Sequence, residues 1–115
     1  VHVISVKPVR EPVWVPAVDE SQLAEDTINV AFPKGVSIIL IRKAGHIFAL
    51  RNRCAHMACT LASGRLDGYV LQCPCHDWKF DITTGEFLAA KEIRVPIYRC
   101  KSESGTVFIE WEEPS

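Results

Sequence analysis

The chain has 115 residues, which is one domain's worth with no room for a second, so residues 1–115 are read as a single domain. Hydrophobic residues make up 48% and charged residues 23%, ordinary values for a soluble globular chain. Thirteen basic against fourteen acidic residues give a net charge of −1, which leaves no footprint for nucleic acid or an anionic membrane.

Short β-rich runs bounded by turn residues recur along the chain, and no helical segment of twelve residues is evident. The first predicted strand is Val13–Val18, and Glu20–Asp26 follows with one helical turn or two. Next come Thr27–Phe32, Val36–Arg42 and His46–Arg51, with Pro33-Lys34-Gly35 and Ala44-Gly45 as turn signals between them. Val36 to Ile41 is the longest apolar run; interrupted by Ser37 and closed by Arg42, it reads as a buried strand, far short of a membrane span. Tyr69–Gln72, Ile93–Arg99 and Thr106–Trp111 complete the set, the last entered through Ser104-Gly105. Near the N-terminus His2, Lys7 and Arg10 occur without an apolar signal core, so no signal peptide or anchor is expected.

Alternation assigns faces. Ile38, Leu40 and Arg42 share one side of their strand, and Ser37, Ile39 and Ile41 the other. Both sides are largely apolar, as in an all-β sandwich or small barrel. Trp14, Phe48, Phe108 and Trp111 are expected in the core. Two stretches lack the alternation, Cys54–Leu66 and Cys73–Phe80, and these read as loops carried by the sheet scaffold.

Four of the five cysteines fall within residues 54–75. An odd count clustered with histidines points to a metal before it points to disulfide staples. The first group reads Cys54-Ala55-His56-Met57-Ala58-Cys59 and the second Cys73-Pro74-Cys75-His76-Asp77-Trp78-Lys79-Phe80, with sixteen residues between His56 and Cys73. Each loop thus offers one thiolate and one imidazole, and two such loops can close around one inorganic centre. Zinc is the competing metal, but structural zinc sites usually begin C-x₂₋₄-C or end H-x₃₋₅-H, and neither pair here has that form.

The pair C-x-H and C-x-x-H resembles the Rieske [2Fe–2S] proteins. Trp78-Lys79-Phe80-Asp81-x-x-x-Gly85 is also in the style of that family, and the resemblance spans nearly the whole chain. It implies a Rieske-type antiparallel β-sandwich, or small incomplete barrels, with a two-loop cluster-binding subdomain within about 54–80. It also implies one [2Fe–2S] cluster, with Cys54 and Cys73 on the inner iron and His56 and His76 on the outer, redox-active iron. Imidazoles in place of two thiolates leave the centre less negative before it gains an electron. The expected potential is then roughly −150 to +300 mV, against about −400 mV for all-cysteine plant-type centres.

Cys59 and Cys75 lie outside the ligand pattern. In the respiratory branch of the family, cysteines at these places form a disulfide joining the loops, whereas most small Rieske ferredoxins lack them. The resemblance therefore implies a Cys59–Cys75 bridge, with two buried thiols as the alternative. Elsewhere the chain departs from that branch. Trp78 and Phe80 stand where it has cluster-bonding serine and tyrosine hydroxyls, and neither can donate an O–H bond to sulfur. Such bonds favour the reduced state, so a potential in the lower or middle part of the window is expected. Where a proline-rich loop often covers the cluster, this chain reads Leu88-Ala89-Ala90-Lys91. Lys91 is either a charge near the centre or a solvated loop residue.

Cys100, without an obvious partner, reads as a small buried or half-buried hydrophobe. His2 and His46 fall outside the ligand spacing and read as surface or packing residues. No G-x-G-x-x-G, P-loop, H-E-x-x-H or second metal triad appears, so no catalytic residue is expected and catalysis belongs to a partner. The resemblance implies an electron carrier, a monomer serving a reductase, an oxygenase or another oxidoreductase, with no nucleic-acid or membrane partner. His56 and His76 would face that partner, with Met57, Leu61 and Trp78 forming a contact patch; Trp78 could equally pack under the loops. Residues 1–53 carry seven basic and five acidic side chains and residues 54–115 six and nine, so a docking surface in the second half is expected to be mildly acidic. Alternative roles are the small Rieske subunit of an oxidoreductase of nitrite-reductase or arsenite-oxidase type, a zinc-stabilised binding module, and a thiol–disulfide oxidoreductase using Cys59 and Cys75. A cytoplasmic home is expected, or a periplasmic one if a stable bridge reflects the compartment.

Overall fold

The structure, a computed structural model, describes residues 13–54, 59–75 and 77–111. Twelve strands among them form three antiparallel sheets, the all-β class expected, with no sheet closed into a barrel. His2, His56, Met57 and His76 lie outside the described residues.

Two tight hairpins set the framework. β3 (Ile38–Lys43) and β4 (His46–Arg51) are joined by Ala44-Gly45, both at positive φ (52° and 79°). β11 (Cys100–Glu103) and β12 (Thr106–Trp111) are joined by Ser104-Gly105 at 52° and 82°. Left-handed conformation at both central residues matches the twist of the flanking strands. Ala44 is a costly residue for it. Its N–H donates to the Glu25 carboxylate at 2.7 Å, which holds the turn from outside.

Around these hairpins the base is built. β1 (Val13–Asp19) pairs with β12 to give the order β1-β12-β11. β2 (Ile28–Ala31) and β10 (Ile97–Tyr98) flank the other hairpin in the order β10-β4-β3-β2. The third sheet is β5 (Arg65–Asp67), β6 (Val70–Gln72), β7 (Lys79–Asp81), β8 (Glu86–Phe87) and β9 (Ala90–Arg94), in chain order.

β3 lies between two cores, as its alternation predicts. Ile38 and Leu40 pack with Leu23, Ala49, Val107 and Ile109 in the base. Ile39 and Ile41 pack with Leu50, Leu71, Phe80 and Val95, in the core that also contains Cys54 and Cys73. Each of the four β3 side chains is fully buried.

Several expectations need correction. The single strand expected at Ile93–Arg99 is two, β9 and β10, which belong to different sheets. Pro96 has no N–H to continue a ladder; its carbonyl accepts from Arg51 N, while Val95 N donates to Gly85 O. β5, β7, β8 and β11 run only two to four residues, too short for alternation to register. Glu20–Asp26, by contrast, holds a single turn as expected, the 3₁₀ turn Glu20–Gln22. Trp14 and Phe108 are half-buried and lie outside both cores, with the Lys101 ammonium 4.6 Å and 5.8 Å from their ring centres. Phe48 and Trp111 do pack against the two cores.

Candidate metal centre

Cys54 follows β4 by three residues, and the turn that delivers it is held by a buried amide. Asn52, 9% exposed, donates from Nδ2 to Ser37 Oγ at 3.1 Å. Its Oδ1 accepts the N–H of Ala62 at 2.8 Å, and its own N–H donates to Ser37 O. One side chain therefore ties the entry of the first loop to the start of β3 and to the 3₁₀ turn Leu61–Ser63 at the loop's exit.

The two loops share a closure. Cys54 N–H donates to Cys59 O, and Cys73 N–H donates to Trp78 O, each at 2.8 Å. Each cysteine thus begins a loop whose sixth residue returns to accept its amide, satisfying a backbone donor that burial would otherwise orphan. The Cys54 and Cys73 side chains are both 3% exposed and neither is in a disulfide. The bridge joins the other pair, Cys59 to Cys75, with a Cα separation of 6.5 Å, and links the end of the first loop to the middle of the second.

Gly64 supplies a further link. A Cβ there would stand 2.2 Å from Gln72 O. Only glycine permits the backbone leaving the first loop to lie against β6 immediately before Cys73.

Aromatic rings floor the second loop. Trp78 stacks on Phe87 with centroids 3.9 Å apart and planes 7° from parallel, and fully buried Phe80 touches both rings. Trp78 thus packs under the loops, the second of the two roles open to it. Leu61, expected on a contact patch, is fully buried beside Cys54 and Cys73; it fills the core beneath the loop and presents no surface. Lys91 is exposed, on β9. His46 is exposed as well. Cys100 is half-buried against the base core, and burial pushes its thiol up to about 12.

What this arrangement can hold follows from its donors. Two buried thiols on stapled, self-closed loops suit a soft, thiophilic metal centre kept from water on its sulfur side. Each loop also carries one of the histidines named above. Sequence reading missed Asn52, Gly64 and Phe87. The Gly64 spacing just ahead of a strand was a signal of close backbone approach; Asn52 and Phe87 gave none.

Comparison with known proteins bears on the same region. Residues 13–99 match the family model of the Rieske [2Fe–2S] domain. The chain is 31% identical over 98 residues to the ferredoxin component of a naphthalene 1,2-dioxygenase system from Pseudomonas putida, covering 84% of this chain and 94% of that one. It is 30% identical over 102 residues to the ferredoxin component of naphthalene 1,2-dioxygenase/salicylate 5-hydroxylase systems from Ralstonia sp, covering 86% and 96%. Its fold superposes on the Sphingomonas yanoikuyae B1 ferredoxin with a TM-score of 0.78 at 23% identity, covering 87% of this chain and all of that one.

Proposed function

Because the chain belongs to the Rieske [2Fe–2S] domain family, we propose that it is a one-electron carrier in which Cys54 and Cys73 hold one iron of a single cluster and His56 and His76 the other. The observation that carries the ligand assignment is the pair of buried, non-bridged thiols on two loops closed by the same amide-to-carbonyl bond. Cys59 and Cys75 are engaged with each other, and Cys54 and Cys73 are the loop thiols outside that bridge, which supports their assignment as the metal-binding pair.

When bound, the centre supplies one-electron oxidation and reduction, in a window of roughly −150 to +300 mV for mixed His/Cys ligation. The chain's own residues do the rest. Leu61, Leu71 and Phe80 exclude water from the thiolate side. Trp78 and Phe80 offer no O–H donor, which keeps the potential in the lower or middle part of that window. The disulfide holds the loops in one mutual geometry, so little rearranges when charge changes.

The chain carries no catalytic group of its own and delivers electrons to a partner that does. The named relatives are ferredoxin components of dioxygenase systems, and on that footing the partner here is an oxygenase component, recharged through a reductase. The carrier acts as a cytoplasmic monomer of one domain. Among the described residues no helix is long and apolar enough to cross a membrane.

The test is EPR during a redox titration of anaerobically prepared protein. A signal that appears on one-electron reduction, with a midpoint inside the window above, is expected. Colourless, EPR-silent protein with stoichiometric zinc would refute the assignment.

A further inference from the structure

The charge of this chain is unevenly placed. Residues 51–79, which include both loops, carry four basic side chains (Arg51, Arg53, Arg65 and Lys79) against two acidic ones, Asp67 and Asp77. The other described residues carry seven basic against nine acidic, so a net charge of −1 conceals a positive loop segment beside a negative remainder. The mildly acidic docking surface expected from the two sequence halves rests on a boundary at residue 53, which cuts through this basic segment.

Pairing sharpens the contrast. In the base, Arg42 pairs with Glu20, Lys43 with Asp26, Arg99 with Glu110 and Lys101 with Glu103. Among the described residues Arg51, Arg53, Arg65 and Lys79 make no ion pair, and all four are exposed. Strand register then sets two of them in one row. Arg65 lies opposite Gln72 and Gln72 opposite Lys79, beside the second loop, while two residues further away the row is Asp67, Val70 and Asp81. Asp81 is occupied by Thr83, and Asp77 accepts from the Gln72 amide at 3.2 Å. Arg65, Gln72, Lys79 and exposed Leu88 line a groove of about 440 Å³ together with Asp67 and Val70.

We propose that this face of the five-stranded sheet docks a carboxylate-bearing surface of the electron-transfer partner, with Arg65 and Lys79 as its charged contacts. The inference rests on the carrier reading above and adds the partner's chemistry. A basic row beside the loops and an acidic row behind it form a lateral dipole. Such a dipole attracts a negative surface and orients it toward the loop end, which long-range fields do even where net charge is near zero.

Inorganic oxidants of opposite charge serve as probes, each taking one electron from the reduced protein. Anionic ferricyanide should react about threefold or more slowly in 0.5 M than in 10 mM KCl, because salt screens the attraction. A cationic cobalt(III) complex should show the opposite trend. In the R65Q/K79Q variant the ferricyanide dependence should flatten. The R99Q/K101Q variant, which loses the same charge from the base, should keep it. Equal behaviour of the two variants would overturn the proposal, since only overall charge would then matter. Retention on a sulfonate resin at pH 7 reads the same face with or without the metal centre: R65Q/K79Q eluting no earlier than R99Q/K101Q would also overturn it. A missing EPR signal, by contrast, would overturn only the carrier reading.

Discussion

Replacing Asn52 by alanine tests how the first loop is held. The substitution removes two side-chain hydrogen bonds, at 3.1 Å to Ser37 Oγ and 2.8 Å from Ala62 N. The first is worth about 1 kcal/mol net, and an orphaned, half-buried Ala62 N–H adds about 1–3 kcal/mol, for a total of about 2–4 kcal/mol. At about 2 cal/mol/K of unfolding entropy per residue, a chain this long should melt about 8–16 °C lower. Ser37→Ala breaks only the first bond but leaves the Nδ2 donor of buried Asn52 without that acceptor, and should cost about 1–2 kcal/mol, or about 4–8 °C. Melting of the two variants and the parent, followed by circular dichroism, separates the terms. An N52A protein within about 1 kcal/mol of the parent, or no less stable than S37A, would refute the claim that this amide anchors the loop.

Three further outcomes follow from the same geometry. Replacing Cys59 and Cys75 together by serine opens a closure spanning 16 residues; the loop-entropy relation gives a loss of about 3 kcal/mol, measurable by chemical denaturation under non-reducing conditions. Gly85→Ala puts a Cβ 2.2 Å from Val95 O at a φ of +79° and should destabilise by more than the roughly 1–2 kcal/mol of left-handed strain alone, read as a lowered denaturation midpoint. At Cys100, whose thiol rises from an ordinary 9.0 to about 12, the folded state keeps its proton while the unfolded chain releases it. This contribution to stability is therefore full below pH 9 and is lost as pH rises toward 12. Alkylation of Cys100 at pH 8, followed by mass spectrometry, should accordingly be much slower in folded than in unfolded protein.

Much of the base was legible because its signals are local. The Ala44-Gly45 and Ser104-Gly105 turns carry their own twist, and the double-sided burial of Ile38 to Ile41 follows from their being apolar on both parities. The Cys/His spacing was legible for the same reason, since it needs no knowledge of what lies across the fold. Hidden from sequence were features decided by distant neighbours. Val95-Pro96 reads as the middle of a strand until β4 and Gly85 claim its backbone groups. Leu61 resembles any loop leucine until the core beneath it is seen. The Arg65–Gln72–Lys79 row exists only once three short strands have found their register.

The position of β3 bears on how this chain guards against misfolding. Its four isoleucine and leucine side chains are divided between two compartments, so a slip of one residue would not merely expose a hydrophobic face, as in a one-sided sheet. It would exchange the contents of both compartments at once, sending Ile39 and Ile41 into the base and Ile38 and Leu40 toward the cysteine loops. Apolar character alone cannot forbid that exchange, because both destinations are greasy. Discrimination falls to shape, to Arg42, which reaches Glu20 from one parity only, and to the Ala44-Gly45 turn, whose two residues fix Lys43 opposite His46. A small hairpin turn far from the loops thereby decides which side chains surround the Cys54 and Cys73 thiols.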